Sequence, residues 1–206
     1  LCGRGVTEDR AKTLVEAVHN SVGIDGGYGT KSELFMLLEE HRLWTSQLEA
    51  VNNVLEKMIR KVQCVEKLLA IKGVGLVTIA GFIAEIGDIR RFKSPKQIQR
   101  YAGLELVENS SGKHKGKSKI SKRGRRKLRK ILYQVMIPLL ARNAEFRDIY
   151  DYYITRVKNP LKRRQAMIAV SCKLIRVFYA VLTKGLDYDH MKMKSDIHRD
   201  SNLIAA

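Results

Sequence analysis

LLAIKGVGLVTIAGFIAEIGD, residues 68–88, decides the fold. A helix ends at Ala70, the turn Ile71-Lys72-Gly73-Val74-Gly75 follows, and a second apolar helix runs from about Leu76 to Ile86. The two glycines let the backbone turn tightly. They also allow a close approach to an anion, at which the free amides opening the second helix would point. Lys72 adds a positive charge beside them. The plainer alternative is an ordinary helix–helix turn whose glycines serve geometry alone.

The order apolar-x-Gly-apolar-Gly between two helices resembles the helix-hairpin-helix element, which makes Lys72, Gly73 and Gly75 candidate nucleic-acid contacts. Upstream, Leu34, Leu37, His41, Trp44, Leu48, Val51, Leu55, Met58, Val62, Val65 and Leu69 follow alternating steps of three and four, a heptad seam with one polar member. The spacing predicts a single helix of about 50–55 Å at 1.5 Å per residue. So narrow a stripe asks for a partner helix, and a self-paired coiled coil is the favoured form. His41 and Trp44 read as packing and register features. Before the seam, residues 5–20 read as a short helix with Thr7 as N-cap, and residues 23–30 (GIDGGYGT) as a glycine-rich break.

Downstream, Ser94-Pro95 opens a helix to Tyr101, with Gly103 as its stop. Residues 103–121 are too polar and glycine-containing for a helix and form a short ribbon at most. From Arg123 a helix resumes with Leu128, Ile131, Leu132, Val135, Leu139 and Leu140 inward, Arg125, Arg126, Arg129 and Lys130 outward, and Pro138 as a kink. Helices follow at 144–156 and 160–183, the last closing at Gly185, and the tail beyond has no sustained pattern. The expected class is all-α. Residues 1–30 form an N-terminal helix and linker, 31–69 a coiled-coil helix, 70–185 a compact helical domain with a basic loop, and 186–206 a tail.

At 206 residues and 45% apolar content the chain can close a real core. No run of about 18 apolar residues suggests a membrane span, and the opening lacks the apolar core of a signal peptide, so a cytoplasmic setting is expected. Cys2, Cys64 and Cys172 are odd in number and widely spaced, which favours neither a disulfide framework nor a zinc site. The chain opens on Leu1 and is read as a piece of a longer protein. Charge divides it sharply: residues 1–90 carry 11 Lys and Arg against 12 Asp and Glu, residues 91–206 carry 28 against 9, and the formal total is +18. A positive field confined to one half attracts a polyanion, nucleic acid ahead of an anionic membrane.

Within that half, residues 113–130 hold eleven Lys or Arg and no acid, directly after Ser110-Ser111-Gly112. Lys113, Lys115, Lys117 and Lys119 alternate with small or polar residues, and Lys122, Arg123, Arg125, Arg126 and Arg129 follow. In an extended chain the alternating lysines recur every 6 to 7 Å or so, near the spacing of successive phosphates. Neutralising about six phosphates makes affinity fall with a log-log salt slope near −5. Ser-Ser-Gly alone is a common turn, and no His-Asp pair stands ready for a protease-like triad. A serine hydroxyl held against a phosphodiester among cations can nevertheless form a phosphoserine ester, storing bond energy for rejoining.

The run of elements, LLAIKGVGLVTIAGFIAEIGDIRRFKSPKQIQRYAGL, then ENSSGKHKGKSKISKRGRRKLRKIL, then NPLKRRQAMIAVSCKLIRVFYAVLTKG, resembles the C-terminal half of the insertion-sequence one-ten transposases, also described as bridge-RNA-guided recombinases. SSG, the basic spacer, ISKRG and LRK carry the resemblance. It implies a recombinase that moves a mobile element, with a serine nucleophile falling on Ser111 and Ser110 as second choice. Gly112, Ile120, Ser121, Lys122, Gly124 and Arg129 would form its surroundings. It also implies an upstream RuvC-like domain whose acidic cluster binds a divalent metal such as magnesium. No metal ligand or cofactor is expected in this chain. DNA, a guide RNA and a second copy of the chain are the implied partners, and a nucleoid-associated cytoplasmic protein the implied setting. The alternative is a non-catalytic dimeric nucleic-acid-binding module, a decayed transposase remnant.

Overall fold

The computed structural model describes residues 7–23, 26–107, 110–111, 114–115 and 119–195, with 110–111 and 114–115 followed through their backbone. The architecture is helical: α1 (Glu8–His19), α2 (Gly27–Ile59), α3 (Val65–Leu69), α4 (Leu76–Ile86), α5 (Pro95–Tyr101), α6 (Arg126–Arg142), α7 (Ala144–Thr155), α8 (Arg163–Lys184) and α9 (His190–Ser195). Between α5 and α6 lie four two-residue strands, β1 (Leu106–Val107), β2 (Ser110–Ser111), β3 (His114–Lys115) and β4 (Lys119–Ile120). The chain divides into residues 1–52 and 53–206.

In the first unit no residue of α1 is buried. The glycine-rich segment read as a break is helical from Gly27 onward, so α2 starts four residues before the expected domain edge at 31. Leu34, Leu37, Trp44, Leu48 and Val51 all lie at least half exposed along α2. The expected seam stops short of Leu69, however. α2 ends at Ile59, where the hydrogen bonds tighten, Lys61 donating to Met58 and Val62 to Ile59, and Cys64 then takes φ 65°. A left-handed residue costs about 1–2 kcal/mol. The turn delivers Val65 and Leu68 into the core, each burial contributing about 1.5–3 kcal/mol, so the break is favoured. Arg60 bridges it, reaching Glu56 at 2.7 Å and Glu66 at 2.6 Å.

The second unit is built around α8, which packs on α3, α5, α6 and α7. By length and composition α8 could cross a membrane, a feature the sequence reading did not find, yet Val170, Leu174, Ile175 and Phe178 are wholly buried within this core. Phe178 meets Phe82 of α4 edge to face, with ring centroids 4.8 Å apart. Tyr179 donates from its hydroxyl to the Phe92 carbonyl at 2.9 Å, tying α8 to the segment before α5. α6 buries Leu128, Leu132, Val135 and Leu139 as the pattern predicts, and also Met136. Pro138 lies inside α6, which runs on to Arg142. Asn143 accepts from the Phe146 amide at 3.1 Å and so caps α7. The tail, expected to lack pattern, forms α9, held to α7 by the 2.6 Å ion pair of Lys194 with Asp148.

Candidate nucleic-acid interface

The basic loop is a ribbon with a closed stem. Arg125 donates its amide to the Tyr101 carbonyl at 2.8 Å, Lys122 to Gly103 at 3.0 Å and Ser121 to Glu105 at 2.8 Å. Gly103 has φ +72° and Gly124 φ +145°. A Cβ on Gly124 would lie 2.8 Å from the Gly103 amide nitrogen, and one on Gly103 would lie 2.9 Å from the Arg123 carbonyl oxygen. Only glycine fits both sides of so close a crossing. Beyond the stem β1 pairs with β4 in antiparallel register, Leu106 opposite Ile120 and Val107 opposite Lys119. Further out β2 pairs with β3, Ser110 opposite Lys115 and Ser111 opposite His114. Two residues separate β1 from β2 and three separate β3 from β4, so the register advances by one between the ladders. Backbone pairing can hold such a polar ribbon where apolar burial cannot.

The cations around it divide by partner. Arg129 donates through Nη1 to the Ala102 carbonyl at 2.9 Å and to the Lys122 carbonyl at 3.3 Å, bracing both sides of the stem. Arg125 places Nε 3.2 Å from Glu85, with its guanidinium 5.9 Å from the Tyr101 ring centroid. Arg100 forks onto Glu105 at 2.9 and 2.7 Å, and that hydrogen bonding holds the Glu105 carboxyl below its ordinary range. Lys119, Lys122, Arg123 and Arg126 form no ion pair among the described residues, and all four are exposed. They are among the charges left for a polyanion.

The structure places all the expected site residues but Lys113 and Lys117. Ser110, Ser111 and Lys115 lie on the paired ladder of β2 and β3, and Lys119 on β4. Lys113 and Lys117, with Gly112, fall outside the described residues. Lys122 takes φ 53° at the stem, Arg123 and Arg125 follow it, and Arg126 opens α6. The hairpin residues sit elsewhere. Gly73, at φ +90°, presses on α6: a Cβ there would lie 2.6 Å from the Pro138 carbonyl oxygen and 2.7 Å from Leu139 Cα. Its freedom from a side chain serves packing. Gly75 meets open space at the start of α4, and Lys72 is exposed, so these two remain turned to solvent. Pro138 lies twelve positions beyond Arg126 on α6, about 18 Å at 1.5 Å each, so hairpin and ribbon occupy opposite ends of one helix.

Two groups that charge runs did not single out, Tyr133 of α6 and Arg164 of α8, share a groove with Arg126 and Lys130. Helical spacing could have found Tyr133, seven residues after Arg126. Arg164 is joined to them only by the packing of α8 on α6. Among the described residues no three His, Cys, Asp or Glu side chains cluster closely enough to hold a metal ion.

Residues 65–151, which run from α3 through the hairpin, ribbon and α6 into α7, match the family model described as "Transposase IS116/IS110/IS902 family". Over 155 residues the chain is 24% identical to a probable family 20 transposase of Pseudomonas aeruginosa, covering 74% of this chain and 45% of that protein. It is 28% identical over 123 residues to the transposase for insertion sequence element IS1111A of Coxiella burnetii, covering 60% and 34%. It is 31% identical over 125 residues to the pilin gene-inverting protein of Moraxella bovis, covering 59% and 38%. The chain thus spans less than half the length of these relatives. The matched segment holds α3, α4, α5, the ribbon, α6 and most of α7, and over those residues the chain is similar to the IS116/IS110/IS902 transposase family.

Proposed function

We propose that this chain is the serine-bearing portion of a DNA transposase that cuts and rejoins strands of a mobile element. The observation that supports it most is the placement of Ser110 and Ser111 on an antiparallel ladder, carried by a cation-rich ribbon whose stem is closed on α5 and α6. Lys119, Lys122, Arg123 and Arg126 draw in the phosphate backbone, and Ser111 supplies the nucleophile.

In the first step the Ser111 oxygen bonds to a backbone phosphorus and the bond from that phosphorus to a deoxyribose oxygen breaks. The serine proton leaves to a base and the departing sugar oxygen takes one up. The cations stabilise the charge that gathers on the phosphoryl oxygens. A sugar hydroxyl of another strand then attacks the phosphoserine, forming the new phosphodiester and restoring the serine. Bond energy is conserved, so rejoining needs no nucleotide cofactor. The active protein is proposed to be a dimer through the α2 seam, working at the nucleoid on DNA. A guide RNA is a further partner, and a divalent metal would be held outside this chain.

The test uses the gene product carrying this sequence at its full length, with a duplex containing the element's end. Ser111→Ala is expected to abolish the covalent protein–DNA adduct and strand joining while leaving duplex affinity unaltered, and Ser110→Ala to leave joining intact. Equal joining with and without the Ser111 hydroxyl would remove the nucleophile. Duplex binding with no adduct from either form would mark a binding module instead.

A further inference from the structure

Beside the ribbon, α6 and α8 enclose an open groove of about 620 Å³. One wall is the α6 stripe Arg126, Lys130, Tyr133 and Gln134, which the helical repeat sets on one face. The other is the α8 stripe Arg164, Ile168 and Ser171. Leu104, beside the stem, and Ile120 of β4 line the groove on the side of the ribbon. Lys130 and Arg164 are exposed and form no ion pair among the described residues. Tyr133 is 43% exposed, although aromatic side chains of this size gain most by burial. Leu104 and Leu132 are buried and Ile168 is half-buried, while Arg126, Lys130 and Arg164 are exposed, so the groove is apolar at its base and cationic at its rim.

We propose that this groove takes an unpaired stretch of nucleic-acid strand, a base stacking on Tyr133 and the flanking phosphates resting on Arg126, Lys130 and Arg164. The inference deepens the functional reading above, on which it rests. A groove of about 620 Å³ is too small to admit a duplex, whereas a single strand can lay its bases inward and its phosphates outward. An aromatic platform inside a cationic groove is what sequence-tolerant single-strand binding uses. The neighbouring ribbon gives the occupant a purpose: a strand opened for cutting would be held apart from its complement within reach of the ribbon stem. α8 lies beyond the segment that matches the family model, so the second wall is a feature of this chain that the match does not cover.

The experiment measures fluorescence anisotropy of the full chain at low salt, with a short fluorescein-labelled oligothymidylate and with a blunt duplex of equal length. Tyr133→Ala is expected to weaken the oligothymidylate by about tenfold, the loss of one stacked base, with duplex affinity unchanged. Tyr133→Phe keeps the ring and retains binding. Arg164→Gln lowers the single-strand salt slope by about 0.7. The groove is overturned if the alanine variant holds the oligothymidylate as tightly as the parent, or loses the duplex equally. A parent chain that binds the duplex alone overturns the groove and leaves the ribbon standing. One that binds neither probe overturns both.

Discussion

Gly103 and Gly124 meet backbone to backbone at the stem of the serine ribbon, so closely that a Cβ on Gly124 would sit 2.8 Å from the Gly103 nitrogen. Neither residue can be replaced without moving a strand. Gly124→Ala is expected to open the stem at a local cost of about 1–3 kcal/mol. Amide exchange at Lys122 and Arg125, whose bonds close the stem, should quicken by about tenfold or more while the α8 core stays protected. Unchanged exchange at those two amides would show that the stem does not depend on this contact.

Arg126 and Arg129 stand one helical turn apart and are expected to separate in a salt titration. Arg126, free of an ion pair among the described residues, is the proposed phosphate contact, so Arg126→Gln should shallow the log-log slope for duplex binding by about 0.9. Arg129 donates to the Ala102 and Lys122 carbonyls. Arg129→Gln should leave the slope alone and instead accelerate exchange at the Lys122 amide.

The α2 seam exposes Leu37 at 55% and Leu48 at 50%. If a second copy covers them, Leu37→Glu with Leu48→Glu places like charges in a closed interface and should convert a dimer to a monomer in sedimentation velocity, with the second unit's unfolding midpoint unaltered. A parent chain that sediments as a monomer at micromolar concentration would remove the self-paired coiled coil.

Phe178 is wholly buried against Phe82. Phe178→Ala removes an aromatic ring from the centre of α8 and is expected to destabilise the second unit by about 3–5 kcal/mol, seen as a lowered urea midpoint. Trp44→Ala on exposed α2 should lower that midpoint by far less.

Burial pushes the Cys172 thiol up from its ordinary 9 to about 11. Between those values the unfolded chain has released this proton and the folded chain retains it. The unfolded state then binds fewer protons, and stability falls as pH rises through the window, by of order 2 kcal/mol. Tyr188, raised chiefly by burial, extends the decline to higher pH. Cys172→Ala should flatten the urea midpoint between pH 9 and 11, and a slope identical to the parent's would show that the thiol contributes nothing there.

Local punctuation made much of the fold readable. Gly75 and Gly87 flank α4, and Ser94-Pro95 with Gly103 brackets α5, so both helices match their expected bounds. The break after Ile59 was hidden because Val62, Val65 and Leu69 continue the three-four spacing. Cys64 in a left-handed conformation leaves no compositional mark, and burial of Val65 and Leu68 decides the turn. The Gly27–Gly29 segment misled in the opposite sense, since glycine weakens a helix without forbidding it. At the site, charge runs identified the basic segment but could not separate Arg129, which braces the stem, from Arg126, which does not. That difference lies in a guanidinium reaching carbonyls at Ala102 and Lys122. The hairpin's Gly73 looked like a phosphate neighbour, and its position against Pro138 became visible only with α6 in place.

The stem is held to α5 and α6 through main-chain atoms and the Arg129 guanidinium, and among the described residues of the ribbon Leu106, Val107 and Lys119 are exposed. Natural variation can therefore rewrite the tip, its length or its charge, without unsettling the helices beneath. Across related elements, divergence should accumulate outside the two glycines while the crossing itself stays put, leaving a changeable tool on a conserved handle.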